Sequence, residues 1–247
     1  MRYFLEISYD GTAYHGWQIQ NNALTVQEVL NEALSTILRQ EVSTIGSGRT
    51  DKGVHALNQV VHFDVSAETK IGDLCHKLNS ILPSDISANE LARVQEEANA
   101  RFAAVSRSYL YRIHQKKNPF LVNRSYLFHR PLNVEMMNES CEIIKRWMDF
   151  ESLSKVHTDV NHFNCEIFDA RWQEYNGELH FHVSANRFLR GMIRAMVGTM
   201  LLLGEGKINL DNFEAILEGR DRTKAGRSVP AHGLYLKDII YPKDVYL

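Results

Sequence analysis

The order in which the hydrophobic period changes along this chain limits its fold more than any other feature. Residues 3–9 alternate, with Tyr3, Leu5, Ile7 and Tyr9 on one face, as a half-buried strand requires. Thr25 followed by Glu28 forms a capping-box pattern, and Val26, Val29, Leu30, Ala33, Leu34, Ile37 and Leu38 then recur at the spacing of an amphipathic helix. A short strand at 42–46, a Gly-rich loop, a strand at 59–65, a helix over 70–80 and a strand over 86–94 complete a β-α-β-β-α-β order. The second half repeats it, with a strand at Ser108–His114, a helix at Val134–Asp149 and strands at 168–175 and 178–184. Helices over 187–203 and 209–218 and a final strand at Leu234–Tyr241 follow. Two such runs predict an α+β fold of two ferredoxin-like halves, residues 1–104 and 105–247. The halves are expected to share an extended, mostly antiparallel sheet with helices on one side.

Composition narrows the class further. With 44% apolar and 23% charged residues the chain reads as folded, neither disordered nor fibrous. No apolar run approaches the roughly 20 residues needed to cross a bilayer, so no membrane association is expected. Met1–Glu6 meets a carboxylate after three apolar residues, unlike a signal peptide. Cys75, Cys141 and Cys165 are odd in number, far apart and without a C-x-x-C pair, the pattern of reduced thiols in a cytoplasmic protein.

The formal net charge of −2 argues against a globally basic nucleic-acid binder, but it is an average. Residues 1–104 carry 8 basic and 13 acidic side chains, and the remainder 20 and 17. From Ala98 to Val134 there is no acidic residue, while Arg101, Arg107, Arg112, Lys116, Lys117, Arg124 and Arg130 alternate with Phe102, Tyr109, Tyr111, Phe120, Tyr126 and Phe128. Cations neutralise phosphates and aromatic faces stack on unpaired bases, so this mixture suits loop or single-stranded RNA; a solvated strand and loop with core aromatics is the competing reading. On the helix expected over 187–203, Arg187, Arg190 and Arg194 form a stripe beside a broad apolar surface. Such a stripe requires a buried anionic partner for at least one arginine, with Arg187 reaching solvent. Arg220, Arg222, Lys224 and Arg227 form a third basic cluster in an expected mobile loop.

The loop Gly46-Ser47-Gly48-Arg49-Thr50-Asp51-Lys52-Gly53-Val54-His55-Ala56 has neither P-loop nor dinucleotide-binding spacing. Its glycines permit tight turns and close backbone approach. Asp51, flanked by Arg49 and Lys52, stays ionised and can be a nucleophile, a base or a cap for its own turn.

These eleven residues closely resemble the G-[AS]-G-R-T-D-x-G-V-H-A signature of the tRNA pseudouridine synthase A family. Tyr9-Asp10-Gly11-Thr12 with Gly16-Trp17-Gln18 resembles the family's opening, Gln59–Phe63 its next strand, and Leu82-Pro83-Ser84-Asp85-Ile86 its L-P-x-D-I. Ala100-Arg101-Phe102 with Arg107-Ser108-Tyr109-Leu110-Tyr111 resembles A-R-F…R-x-Y-x-Y. Met192-Ile193-Arg194 with Val197-Gly198 resembles M-V-R-x-x-V-G, and Pro230-Ala231 with Gly233–Leu236 the closing strand.

The resemblance implies an isomerase that converts uridine to pseudouridine at positions 38, 39 and 40 of the tRNA anticodon stem-loop. It implies a cytoplasmic homodimer with no cofactor and no catalytic metal. Asp51 would be the nucleophile and Arg194 its ion-pair partner. Tyr109 would pack on the target uracil, and Arg49 would help extrude the base. Arg101, Arg107, Lys116 and Lys117 are the further substrate-binding candidates. With Asp51 in one half and Tyr109 and Arg194 in the other, the site is expected in a cleft between them, opposite the helices. Whether Asp51 attacks the sugar, attacks the base or acts through a glycal stays open at the level of sequence. The chain departs from the family at Cys165-Glu166-Ile167-Phe168, where many members carry R-T, so an Arg contact is missing there. His157, His162 and Cys165 nearby invite a metal reading that surface polarity explains better, and His180 and His182 are expected on an outward sheet face. A tRNA-binding protein without catalysis and an enzyme acting on free nucleosides are the other classes to separate.

Overall fold

The computed structural model describes residues 1–66, 71–156 and 160–247, and it divides the chain into two compact units. One joins Met1–Arg107 to Tyr235–Leu247; the other is Ser108–Leu234. Among the described residues there are nine strands and five α-helices in a mixed α+β arrangement, and most strand pairings are antiparallel.

In the first unit β1 (Arg2–Tyr9), α1 (Val26–Leu38), β2 (Ile45–Gly46), β3 (His55–Asp64), α2 (Leu74–Ile81) and β4 (Ile86–Val94) follow the expected β-α-β-β-α-β order. β1 lies between β3 and β4, antiparallel to both, with Leu5 opposite Val61 on one side and Leu91 on the other. β2 adds to the far edge of β3 at Val61 and His62. Leu5 and Ile7 are fully buried, as their alternation requires. α1 starts where expected, the Thr25 hydroxyl accepting from the Glu28 N–H. Residue 70, where the next helix was expected to begin, lies outside the described residues.

The second unit contains most of β5 (Ser106–His114), then β6 (Tyr126–Leu127), α3 (Val134–Arg146), β7 (Ile167–Tyr175), β8 (Glu178–Ala185), α4 (Met192–Gly204) and α5 (Leu210–Glu218). Its strands lie in the order β5-β8-β7, with β6 parallel to β5. β7 and β8 form a hairpin across Asn176-Gly177, both at positive φ as a two-residue turn needs. The Asn138 side chain ties α3 to β7, bonding both the N–H and the C=O of Trp172. α4 is buried nearly all round, consistent with its run of apolar residues.

Several boundaries differ from the sequence expectation, and four of the differences bear on the site or on the two units. β3 begins at His55 rather than at 59, because His55 and Ala56 pair in parallel with Tyr235 and Leu236 of β9 (Leu234–Ile240). The same pairing, together with bonds from Gln95 N to Val245 O and from Leu247 N to Arg93 O, puts the C-terminal residues with the first unit instead of with a half running to 247. α3 stops at Arg146, where Trp147 turns extended and its indole N–H caps onto the Asp149 carbonyl. α4 starts at Met192 because Gly191, at φ +73°, breaks the backbone before it. Arg187 and Arg190 are therefore not on the helix, and the expected stripe of three arginines does not form.

Candidate active site

The signature loop is built onto the end of β1 and the start of α1. Its chain reverses at Asp51–Val54, where the Val54 N–H donates to the Asp51 carbonyl and Gly53 takes φ +76°, as the third residue of a type II turn must. Gly11 and Gly16 make room for it. A Cβ on Gly11 would overlap the Val54 carbonyl oxygen, and one on Gly16, itself at φ +95°, would overlap the Thr50 carbonyl oxygen. The Trp17 N–H donates to that same Thr50 carbonyl, and the buried Tyr9 and Thr50 hydroxyls bond at 2.8 Å. Gly16 and Trp17 also accept from the Val26 and Gln27 N–H groups, two of the donors that a helix start leaves unsatisfied. One dipeptide thus caps α1 and carries the backbone on either side of Thr50.

Both ends of the loop are pinned. At its start, Ser47 N–H donates to Val60 O, and the fully buried Gln59 bonds Ser47 Oγ and Gly48 O. At its end, His55 Nδ1 lies 3.1 Å from both Gly11 N and Asp10 Oδ1, and its ring stacks on Tyr235 at 4.6 Å. Asp51 is half-buried in this frame, Arg49 beside it is exposed, and Lys52 Nζ lies 3.1 Å from His15 Nε2.

In the second unit Arg194 occupies the first turn of α4, where a cation opposes the helix dipole. Arg194 Nε donates to the Val229 carbonyl at 2.7 Å, and the Val229 N–H returns a bond to Arg194 O. The segment 226–229 runs along α4 only because glycines meet there. A Cβ on Gly198 would overlap the Arg227 carbonyl oxygen, and one on Gly226 would overlap the Gly198 carbonyl. Tyr109 and Tyr111 differ sharply. Tyr111 is fully buried, donates to the Pro230 carbonyl at 2.8 Å, and burial raises its hydroxyl pKa well above the ordinary value. Tyr109 is half-buried, and Phe188 packs edge-on to its ring at 5.2 Å, fixing the ring plane.

The acid-free stretch is not acid-free in space. Arg112 makes a bidentate pair with Glu178 of β8, at 2.6 and 3.1 Å. Burial pushes the Glu178 carboxyl up, but its bonds from Arg112 outweigh that and hold the carboxyl below its usual value. Arg130 pairs with Glu205. Arg107, expected among the substrate-binding cations, turns its guanidinium onto the carbonyls of Ser47, Arg101 and Ala104. Arg101, Lys116, Lys117 and Arg124 are exposed, as are Phe102, with Arg101 over its ring, and Phe120.

Other expectations change. Arg222 bonds Gly226 O and Ser228 Oγ, and Arg220 pairs with Asp149, so the 220–227 cluster is internally tied. Cys165 is fully buried, and burial pushes its thiol up to about 11 and that of Cys141 to about 12. The family's Arg position is thus filled here by a core residue. His157 lies outside the described residues, and His162 is exposed beside Arg187. Among the described residues no group of three His, Cys, Asp or Glu could hold a metal. His180 is buried rather than outward, covered by the rings of Tyr175 and His182. Among the described residues no helix is long and apolar enough to cross a membrane. That the Tyr9–Thr12 and Gly16–Gln18 motifs support the loop, and that Val229 and Gly226 serve Arg194 and α4, is not visible from residue type alone. Paired glycines in motifs flanking the signature were the available signal.

Residues 7–103 and 148–242 match the family model described as tRNA pseudouridine synthase. The tRNA pseudouridine synthase A of Porphyromonas gingivalis is 45% identical over 250 residues, covering 100% of this chain and 99% of that protein. That of Bacteroides fragilis is 45% identical over 247 residues, covering 99% and 98%. That of Caldicellulosiruptor bescii is 38% identical over 239 residues, covering 96% and 98%.

Proposed function

Because the chain belongs to the tRNA pseudouridine synthase family, we propose that it acts on uridines 38, 39 and 40 of the anticodon stem-loop, with Asp51 as nucleophile. The reaction class is isomerisation of uridine in tRNA. Net, the C1′ bond moves from N1 to C5 and one proton from C5 to N1, so no oxidant, reductant or donor is consumed. The observation that carries the residue assignment is the construction of the 46–56 loop: its backbone is fixed at Ser47, Thr50, Val54 and His55, and Asp51 is presented from within that frame. A nucleophile gains from such preorganisation because less reorganisation is left for the reacting complex.

The other roles follow from chemistry. The target base must leave its stack before its glycosidic bond can react, and an exposed Arg49 is a suitable cation to occupy the vacated space. Tyr109, its plane held by Phe188, is a platform for the extruded uracil. Arg194, held against Val229 despite its unfavourable place at a helix start, supplies positive charge to the reacting carboxylate. Arg101, Lys116 and Lys117 contact phosphates; Arg107 supports the loop instead. Action as a cytoplasmic homodimer completes the proposal.

Replacing Asp51→Ala tests it. RNA binding should persist while pseudouridine formation disappears; retained conversion would overturn the nucleophile assignment. Mapping pseudouridine in tRNA from cells lacking the protein should show loss at positions 38–40, and intact sites there would refute the target.

A further inference from the structure

The loop joining β5 to β6 carries a feature that the reaction above does not use. Ile113 and His114 pair in parallel with Tyr126 and Leu127, so residues 115–125 form the crossover that carries the chain from the end of β5 back to the start of β6. Its backbone is braced by local hydrogen bonds. Asn118 caps a short turn through the Phe120 N–H, Pro119 fixes its first position, and the Arg124 and Ser125 N–H groups both return to the Leu121 carbonyl. Gln115 Nε2 ties the base of the loop to the Arg130 carbonyl.

On this turn Phe120 is 83% exposed, the highest value for any large apolar side chain among the described residues. Among the described residues no ring or cation packs on it, whereas Phe102 has Arg101 over its ring. A hydrogen-bonded turn that holds a phenyl ring in water forgoes the burial that such a ring ordinarily contributes. Its surroundings specify the occupant. Lys116, Lys117 and Arg124 are exposed on the same loop, which itself carries no acidic residue. A protein partner would match an apolar ring with apolar surface; a ring framed by cations matches a polyanion that also presents flat apolar faces. This loop also lies in the 104–147 stretch between the two segments that match the family model.

We infer that Phe120 is a stacking platform for an unpaired nucleobase of the RNA substrate, with Lys116 and Lys117 holding the adjoining phosphates. The inference rests on the RNA-modifying reading above and adds a subsite to it. Because the platform binds and does not react, its removal weakens RNA affinity without altering the chemical step.

The test uses the full protein and two RNA probes of equal length, a hairpin with a single-stranded loop and a blunt duplex. In Phe120→Ala, Kd and KM for the hairpin should rise about 5- to 100-fold, kcat should stay within about twofold, and duplex binding should not change. Phe120→Trp should restore hairpin affinity. The salt slope should survive Phe120→Ala but drop by about 1 in Lys116→Ala. Unchanged hairpin affinity in Phe120→Ala would overturn the inference, as would an altered sedimentation coefficient, which would assign the ring to a protein contact. Because binding is read apart from turnover, failure of the platform is distinguishable from failure of the uridine-isomerising reading, which Asp51→Ala tests.

Discussion

Gly16 shows how much a single missing side chain does in this protein. At φ +95° it adopts a conformation that L side chains rarely take, and its Cα faces the Thr50 carbonyl so closely that a Cβ has no room. Neither atom can move cheaply: Thr50 O accepts from Trp17 N–H, and Gly16 O accepts from Val26 N–H at the start of α1. Gly16→Ala should therefore lower stability by about 1–3 kcal/mol and displace the backbone next to Asp51. In steady-state assays kcat should fall at least tenfold with KM for RNA little changed, while Gly48→Ala, whose Cβ would meet nothing, tests whether any loop glycine has this effect. An equal kcat loss in Gly48→Ala would remove the claim for Gly16. The letters of the Gly16-Trp17-Gln18 motif were legible in the sequence, as was Asp51 through its loop. Their mutual support was not, because it depends on carbonyls and N–H groups, which every residue carries and no residue type advertises.

At the level of elements, α4 and the segment 226–229 act as one piece. Gly→Ala inside a helix ordinarily stabilises it by up to about 1 kcal/mol. At Gly198 the sign should reverse, since the space a methyl group would take holds the Arg227 carbonyl oxygen. Displacing that segment moves Val229, and with it the acceptor that orients Arg194 Nε. Gly198→Ala is expected to lower the melting temperature and to cut kcat more than RNA affinity; thermal denaturation and single-turnover rates measure the two. A stabilised variant of normal activity would show that the segment does not position Arg194. The same elements mark where periodicity ran out. α1 and β1 were readable because each buries one face with its own period. β3 was cut short because its first residues gain partners from residues 235–236, a pairing with no local signature. α4 was overextended because Phe188 and Leu189 continue its apolar pattern past Gly191, and only the φ of that glycine ends it.

Over the whole molecule, the charge that sequence counts and the charge that the fold exposes are different quantities. Arg107, Arg112 and Arg130 belong to the acid-free stretch, yet carbonyls, Glu178 and Glu205 engage them. The histidines show the same principle with the opposite outcome, since burial removes charge instead of pairing it. His62 is buried in β3, its Nδ1 accepting from the Ala100 N–H, and burial, with Arg2 nearby, lowers its pKa to about 4. Burial also lowers His114 and His180 in the second unit, against the pull of Glu178. A folded-state pKa below the unfolded value of about 6.5 means that the unfolded chain takes up protons first as pH falls. Stability from His62 is complete above about 6.5 and is lost progressively toward pH 4, before the carboxylate of Asp64, held low by its bond to Arg2, begins to add to the loss. For His62 the loss amounts to about 1–3 kcal/mol. Urea unfolding at pH 7.5 and pH 5 should show the decline in wild-type protein, and His62→Gln, which keeps an acceptor for Ala100 without a titrating ring, should lose part of it. A pH dependence identical in the two proteins would mean that His62 titrates alike in the folded and unfolded chains, and would overturn its part in the decline.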